Sequence, residues 1–146
     1  MTHSPAQVLA AYLKAETGSP FTDPLDKLDW PVFVSSMPDG ASIPKVAAVY
    51  DTQGRLLNRD VTTGEEEWAF GIQVKVRTLD YGVAFQKSEE VADLLSALHN
   101  ASVTIEESAY NIEVFNMTSR SLSLGLDEQR RSQFTTNGLV MLWQTA

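Results

Sequence analysis

Apolar residues return at helical spacing near the start of the chain, at Val8, Leu9, Tyr12 and Leu13, with Ser4 in position to cap and Pro5 at the first helical residue. The pattern predicts a helix from Ser4 to Glu16, ended by Gly18. Residues 18–30 then read as a long connection rich in Pro, Asp and Thr, with Phe21, Leu25, Leu28 and Trp30 as its large apolar anchors and a helical turn around Pro24 to Leu28. The apolar run Pro31 to Val34 predicts an edge strand, because a proline cannot donate to a ladder, and Met37-Pro38-Asp39-Gly40 closes it with a turn. Lys45 to Tyr50 predicts a strand that runs into a turn at Asp51 to Gly54. From Arg55 to Glu67 the chain is polar and predicts an exposed hairpin or mobile loop. The strongest strand signal follows: Phe70, Ile72, Val74 and Val76 alternate with Gly71, Gln73, Lys75 and Arg77, giving one buried and one wet face.

Asp80 stands where a cap is needed for a second helix, from Tyr81 to about His99. Its stripe comprises Tyr81, Ala84, Phe85, Ser88, Val91, Ala92, Leu95 and Leu98. The remainder alternates as strands: Val103 to Ile105, Ile112 to Phe115, Ser119 to Glu128, and Gln133 to Trp143 with an interruption at Asn137-Gly138. Helix, strands, helix, strands is an α+β plan, an antiparallel or mixed sheet packed on one face by the N-terminal and central helices. At 146 residues the chain fits one domain.

Composition narrows the function more by exclusion than by assignment. The 43% apolar content supports a packed core. With no cysteine, disulfides, thiolate catalysis and Cys-ligated metals are excluded. No stretch reaches the roughly 20 apolar residues of a membrane span, and no basic leader precedes an apolar run, so no membrane association and no processing are expected. The net charge of −8 argues against a grip on nucleic-acid phosphates, which needs a concentrated basic face.

The sequence holds no phosphate-binding glycine loop and no nucleophile elbow, and its two histidines, His3 and His99, are far apart. His99 reads as a helix C-terminal cap favoured by the dipole. Asp60 with Glu65, Glu66 and Glu67 reads as a solvated charge run. Ser119, Ser121 and Ser123 read as the wet face of a strand whose other face is leucine, and Asp127 to Arg131 reads as a charged hairpin tip. Arg130 and Arg131 could instead meet the acidic surface of a neighbouring copy. Neither catalytic residues nor a cofactor or metal site is expected. Strand edges that lack lysine or proline gatekeepers need cover, from helices and loops of the same chain or from a second copy.

The middle of the chain resembles the minor capsid proteins of tailed bacteriophages, within the tail terminator and tail-to-head joining group. The resemblance rests on Met37-Pro38, the strand ending Val49-Tyr50-Asp51-Thr52 before Gly54, the run Phe70-Gly71-Ile72-Gln73-Val74-Lys75-Val76-Arg77, then Asp80-Tyr81 and a helix closing Ala92-Asp93-Leu94-Leu95. It covers about residues 37 to 98. It implies a structural protein of the virion, present in the host cytoplasm before assembly, that forms a six-membered ring at the head-proximal end of the tail tube. Such a ring caps the completed tail, stops its polymerisation and offers a surface to the head connector protein. DNA would pass through the ring without specific binding, in keeping with the negative charge. Gln73, Lys75 and Arg77, on the exposed strand face, become the first candidates for subunit contact, and Arg77→Glu is expected to weaken assembly while leaving the monomer folded. The segment 55–67, carrying Asp60, Glu65, Glu66 and Glu67, fits ring or tube contact. Two other classes stand beside this reading. One is a protein-interaction domain that binds an unrelated partner through a sheet edge, without catalysis. The other is an enzyme using carboxylates such as Asp60 and Glu67 as acid and base, which would require a pocket where one carboxylate has a raised pKa.

Overall fold

A computed structural model describes residues 1–15, 21–22, 30–38 and 45–145. The first helix, α1, spans Pro5–Ala15. Its start is a reciprocal capping box: the Gln7 backbone N–H donates to Ser4 Oγ at 3.2 Å, and the Ser4 N–H to Gln7 Oε1 at 2.7 Å. The Ala6 N–H also donates to the Asp51 carboxylate at 2.9 Å, an anion placed at the positive end of the helix.

The strands are β1 (Phe21–Thr22), β2 (Trp30–Val34), β3 (Val46–Arg59), β4 (Glu66–Thr78), β5 (His99–Ile105), β6 (Ser108–Leu126) and β7 (Ser132–Gln144), with helix α2 (Tyr81–Ala97) between β4 and β5. They form one mixed sheet in the order β1-β2-β3-β4-β7-β6-β5, parallel across β1, β2 and β3 and antiparallel elsewhere. The expected α+β class is thus present, with the sheet curled as a half-barrel and both helices packed against it. Helix α1 touches β2 and β3 on one flank and β5 on the other, so the helices fill the hollow of the curl. There Val8, Leu9 and Leu13 meet Ile72, Val74 and Val76 of β4 and Val91 and Leu95 of α2 in one core.

Several boundaries differ from the sequence reading, each for a local reason. Asp51 to Gly54 is not a turn. β3 runs straight through it, with a bulge where the register steps from Thr52↔Gly71 to Arg55↔Ala69. The close approach needs glycine, since a Cβ on Gly71 would sit 2.3 Å from Thr52 Oγ1 and 2.4 Å from the Gln53 carbonyl oxygen. Within 55–67, only 60–65 is a connection; the rest belongs to β3 and β4, which form a long arm. The segments expected as separate strands at 112–115 and 119–128 are one 19-residue strand, β6, interrupted by bulges rather than by a loop. Pro31 pairs with Thr22, so β2 has the two-residue β1 outside it. Helix α2 stops at Ala97 with Leu98 as its C-cap, and His99 opens β5 instead of capping the helix. The helical turn expected at Pro24–Leu28 and the Asp39-Gly40 turn lie outside the described residues.

Asn137-Gly138 does not interrupt β7. Gly138 leaves room for the Phe115 ring of the neighbouring strand, whose Cζ would lie 2.4 Å from an added Cβ. Gly138→Ala is therefore expected to destabilise by about 1–3 kcal/mol through overpacking, read from the urea midpoint. An unchanged midpoint would show that the ring is free to move aside.

Candidate subunit interface

The alternation along β4 divides it as the sequence predicts: Ile72, Val74 and Val76 face the helices, and Gln73, Lys75 and Arg77 face the other way. Gln73 stands between Tyr50 of β3 and Asn137 of β7, and Asn137 Nδ2 donates to Ser119 Oγ at 2.8 Å. Lys75 places its ammonium 5.2 Å from the centre of the Tyr50 ring. Both side chains are half-buried, within reach of a second surface. Arg77 is different. It is only 2% exposed, and its guanidinium donates to the Pro38 carbonyl, so the expectation of an exposed residue is corrected. Segment 35–38 crosses the sheet face there, a long-range contact that strand alternation does not encode.

The four acidic candidates sit on the arm. Asp60 accepts the backbone N–H groups of Thr63 and Thr62 at 3.1 and 2.7 Å, which hold its carboxyl below the usual range. This closes the turn together with the Gly64 N–H to the Asp60 carbonyl at 2.8 Å and the left-handed φ of 77° at Gly64. Glu65 ends the same turn. Glu66 accepts the Trp68 indole N–H at 2.8 Å and lies 3.9 Å from Arg59, while Glu67 pairs across the ladder with Asn58. All four are exposed, and among the described residues no group of three or more His, Cys, Asp or Glu could hold a metal ion. Among those residues, no helix is long and apolar enough to cross a membrane.

The two arginine candidates at the β6–β7 tip part company. Arg130 is exposed at a left-handed φ of 60°, whereas Arg131 is 3% exposed and its Nε donates to Asp127 Oδ2 at 2.7 Å. Burial would raise the Asp127 carboxyl, but the Arg131 backbone N–H, its guanidinium and the Gln129 N–H outweigh it and hold the group below its usual value. A depressed folded-state pKa contributes stability that is present above the unfolded value of about 3.9 and is lost as pH falls through the folded one. Wild type is therefore expected to lose more stability than Asp127→Asn between pH 5 and pH 2, measured by urea unfolding. Equal losses would mean that the ion pair is formed as readily in the unfolded chain.

Large apolar side chains complete the surface, and the sequence reading did not single them out. On the arm, Leu56 and Trp68 face each other across the ladder at 41% and 40% exposure, near Leu57 and the fully exposed Val61. At the opposite end of the sheet are Leu122, Leu124 and Leu126, which the Ser/Leu alternation had placed on a covered face but which are 44–64% exposed. Tyr81 and Phe85 lie at the same end. They belong to the predicted buried stripe, yet they are 62% and 42% exposed, each making a tilted ring contact with Phe134 at 5.2 and 5.8 Å between centroids. β5 pairs with β6 no further than Val114, and beyond it the outer side of β6 is braced by α2: Arg120 donates to Glu89 at 2.9 Å and to Asp93 at 2.7 Å. The Arg120 hydrogen bond holds the Glu89 carboxyl below its usual range. The Ser121 side chain also acts on Glu89 in that direction, and the residues after it, 122–126, are exposed.

No protein-family model matches this chain, and no curated protein matches it.

Proposed function

We propose that the chain is a structural protein of a tailed bacteriophage that assembles as a ring at the head-proximal end of the tail, closing the tube and offering a surface to the head connector. One observation carries the self-assembly part of this reading. The exposed apolar residues form two groups at opposite ends of the sheet, one on the β3–β4 arm and one at the β6–β7 tip beside the start of α2. Leu122 stands level with Lys75 through Thr135, so the seven residues from Trp68 to Lys75 keep even the nearest members about 23 Å apart at ~3.3 Å per residue, and neither group can cover the other within one copy. Two different patches on one chain suit a head-to-tail contact, and such a contact closes into a ring when its rotation divides a full turn. Patches of this kind mark interaction surfaces on proteins that otherwise keep large side chains inside.

The sequence resemblance supplies the rest: a tail terminator or tail-to-head joining role, six copies, the tube and connector as partners, DNA passing through, and a virion location. Light scattering over a wide concentration range tests the reading. A species of six times 16.1 kDa is the expected result, reached alone or on addition of tail tube protein. A 16.1 kDa monomer that ignores tail tube protein would favour the second reading, an interaction domain that lends the outer side of β6 beyond Ser121 to an unrelated extended peptide.

A further inference from the structure

β4 and β7 are paired from Phe70↔Val140 to Thr78↔Ser132, and past Phe70 the two strands part. Between them, at the base of the arm, opens a cleft of about 240 Å³. Its walls are Trp68, Phe70, Met141 and Trp143, and Glu66, Glu67 and Glu113 add carboxylates to the lining. Trp68 and Trp143 are 40% and 47% exposed, although side chains of that size are usually well covered. Indole faces beside carboxylates suit a guanidinium, which stacks on the ring and pairs with the acid.

The opposite end of the molecule carries such a group. In the β6–β7 tip, Arg131 is committed to Asp127, which leaves Arg130 projecting at the apex, flanked by the exposed Leu124 and Leu126. The tip cannot reach the cleft of its own chain, because the stretch of β7 from Ser132 to Met141 separates the two by about 30 Å at ~3.3 Å per residue.

We infer that the β6–β7 tip of one copy seats in the arm-base cleft of the next. Arg130 stacks on the indole walls and pairs with Glu66 and Glu67, while Leu124 and Leu126 lie against the apolar lining. The inference rests on the head-to-tail reading above and gives that contact its residues. With Arg131 paired to Asp127, Arg130 is the tip's cation for the carboxylates of the cleft, and the exposed Glu128 has to stay clear of them. Every copy carries both surfaces once, so each junction leaves one free cleft and one free tip to continue the ring.

The absence of cysteine makes the junction directly testable. Asn58→Cys, beside Glu67 on the ladder, and Glu128→Cys, beside Arg130 on the tip, leave the charge pair intact. Mixed in equal amounts and treated with a short bismaleimide, the two proteins are expected to give mainly a 58–128 heterodimer, with Lys45→Cys in place of either as control. The double cysteine variant should give a ladder of higher species. Arg130→Glu and Glu67→Arg should each weaken association at least tenfold at low salt, and combining both in one chain should restore it. Association of the wild type that neither reversal changes, with no 58–128 product above control, would overturn this junction and leave the head-to-tail reading to another surface. Dominant 128–128 products would overturn it in favour of a two-fold contact. A wild-type monomer at every concentration, with and without tail tube protein, and no product above control in either case, would remove both.

Discussion

Leu95→Ala is expected to lower the unfolding free energy by about 2–5 kcal/mol, the range for a leucine removed from a core that cannot collapse around the space. Leu95 is 0% exposed and belongs to the cluster shared by α1, α2 and the sheet. The buried face of α2 is otherwise made of Ala84, Ser88, Val91 and Ala92, all smaller, so Leu95 is the largest fully buried side chain that this helix brings to the core. Its loss is poorly compensated because both ends of the turn are tied. The Leu98 N–H bonds to the Leu95 carbonyl at 3.3 Å, and Tyr12 Oη donates to the Leu94 carbonyl at 3.4 Å, linking α2 to α1. Leu95→Met, which nearly conserves volume, should cost less than about 1.5 kcal/mol. Urea unfolding followed by circular dichroism separates the two variants. Equal midpoints for Leu95→Ala and wild type would mean that Leu95 does not face the core.

Short-range chemistry was legible in the sequence. Ser4, Pro5 and the Val8-Leu9-Tyr12-Leu13 stripe announce α1, and Asp80 announces α2, whose Val83 N–H it accepts at 2.9 Å. The alternation at Ile72, Val74 and Val76 located the buried face of β4. The errors arise where the same residues serve two geometries. Asp-Thr-Gln-Gly suits a turn and a bulge equally, and only the partner strand, with Gly71 set against Thr52, decides for the bulge. Ser119 to Leu126 shows a second limit. Period-two alternation puts serines and leucines on opposite sides, but bulges between Ser119 and Leu122 and between Ser123 and Gly125 break the count, so Leu122, opposite Thr135, and Leu126, opposite Ser132, lie on different faces. Of the candidate interface residues, Gln73, Lys75, the four arm acids and Arg130 lie at accessible positions; Arg77 and Arg131 do not. The tryptophans that line the cleft were invisible because a strand-end Trp usually signals core, and the parting of β4 from β7 is a long-range property.

Arg77 carries the other large expected effect, opposite in kind to the surface behaviour that its strand position suggested. Arg77→Glu is expected to destabilise the monomer by about 3–5 kcal/mol, because it replaces a buried, partnered cation by a buried anion. Arg77 pairs with Gln133 across the ladder and donates to the Pro38 carbonyl. It lines a cavity of about 300 Å³ together with Asp127, Glu128 and Arg131. A carboxylate at position 77 would share that space with two existing carboxylates and would compete with Asp127 for Arg131, loosening the β6–β7 tip as well as segment 35–38. Arg77→Met separates charge from packing: it keeps much of the side-chain volume and leaves the Pro38 carbonyl without this donor, an expected loss of about 1–3 kcal/mol. Both variants are read by urea unfolding of dilute protein, where association does not contribute. If Arg77→Glu unfolds within about 0.5 kcal/mol of wild type, the residue belongs to the surface after all. If it is strongly destabilised, any weakening of assembly in that variant reports a disordered tip, and the subunit contact has to be judged from Arg130 and Glu67, which can be reversed without entering the core.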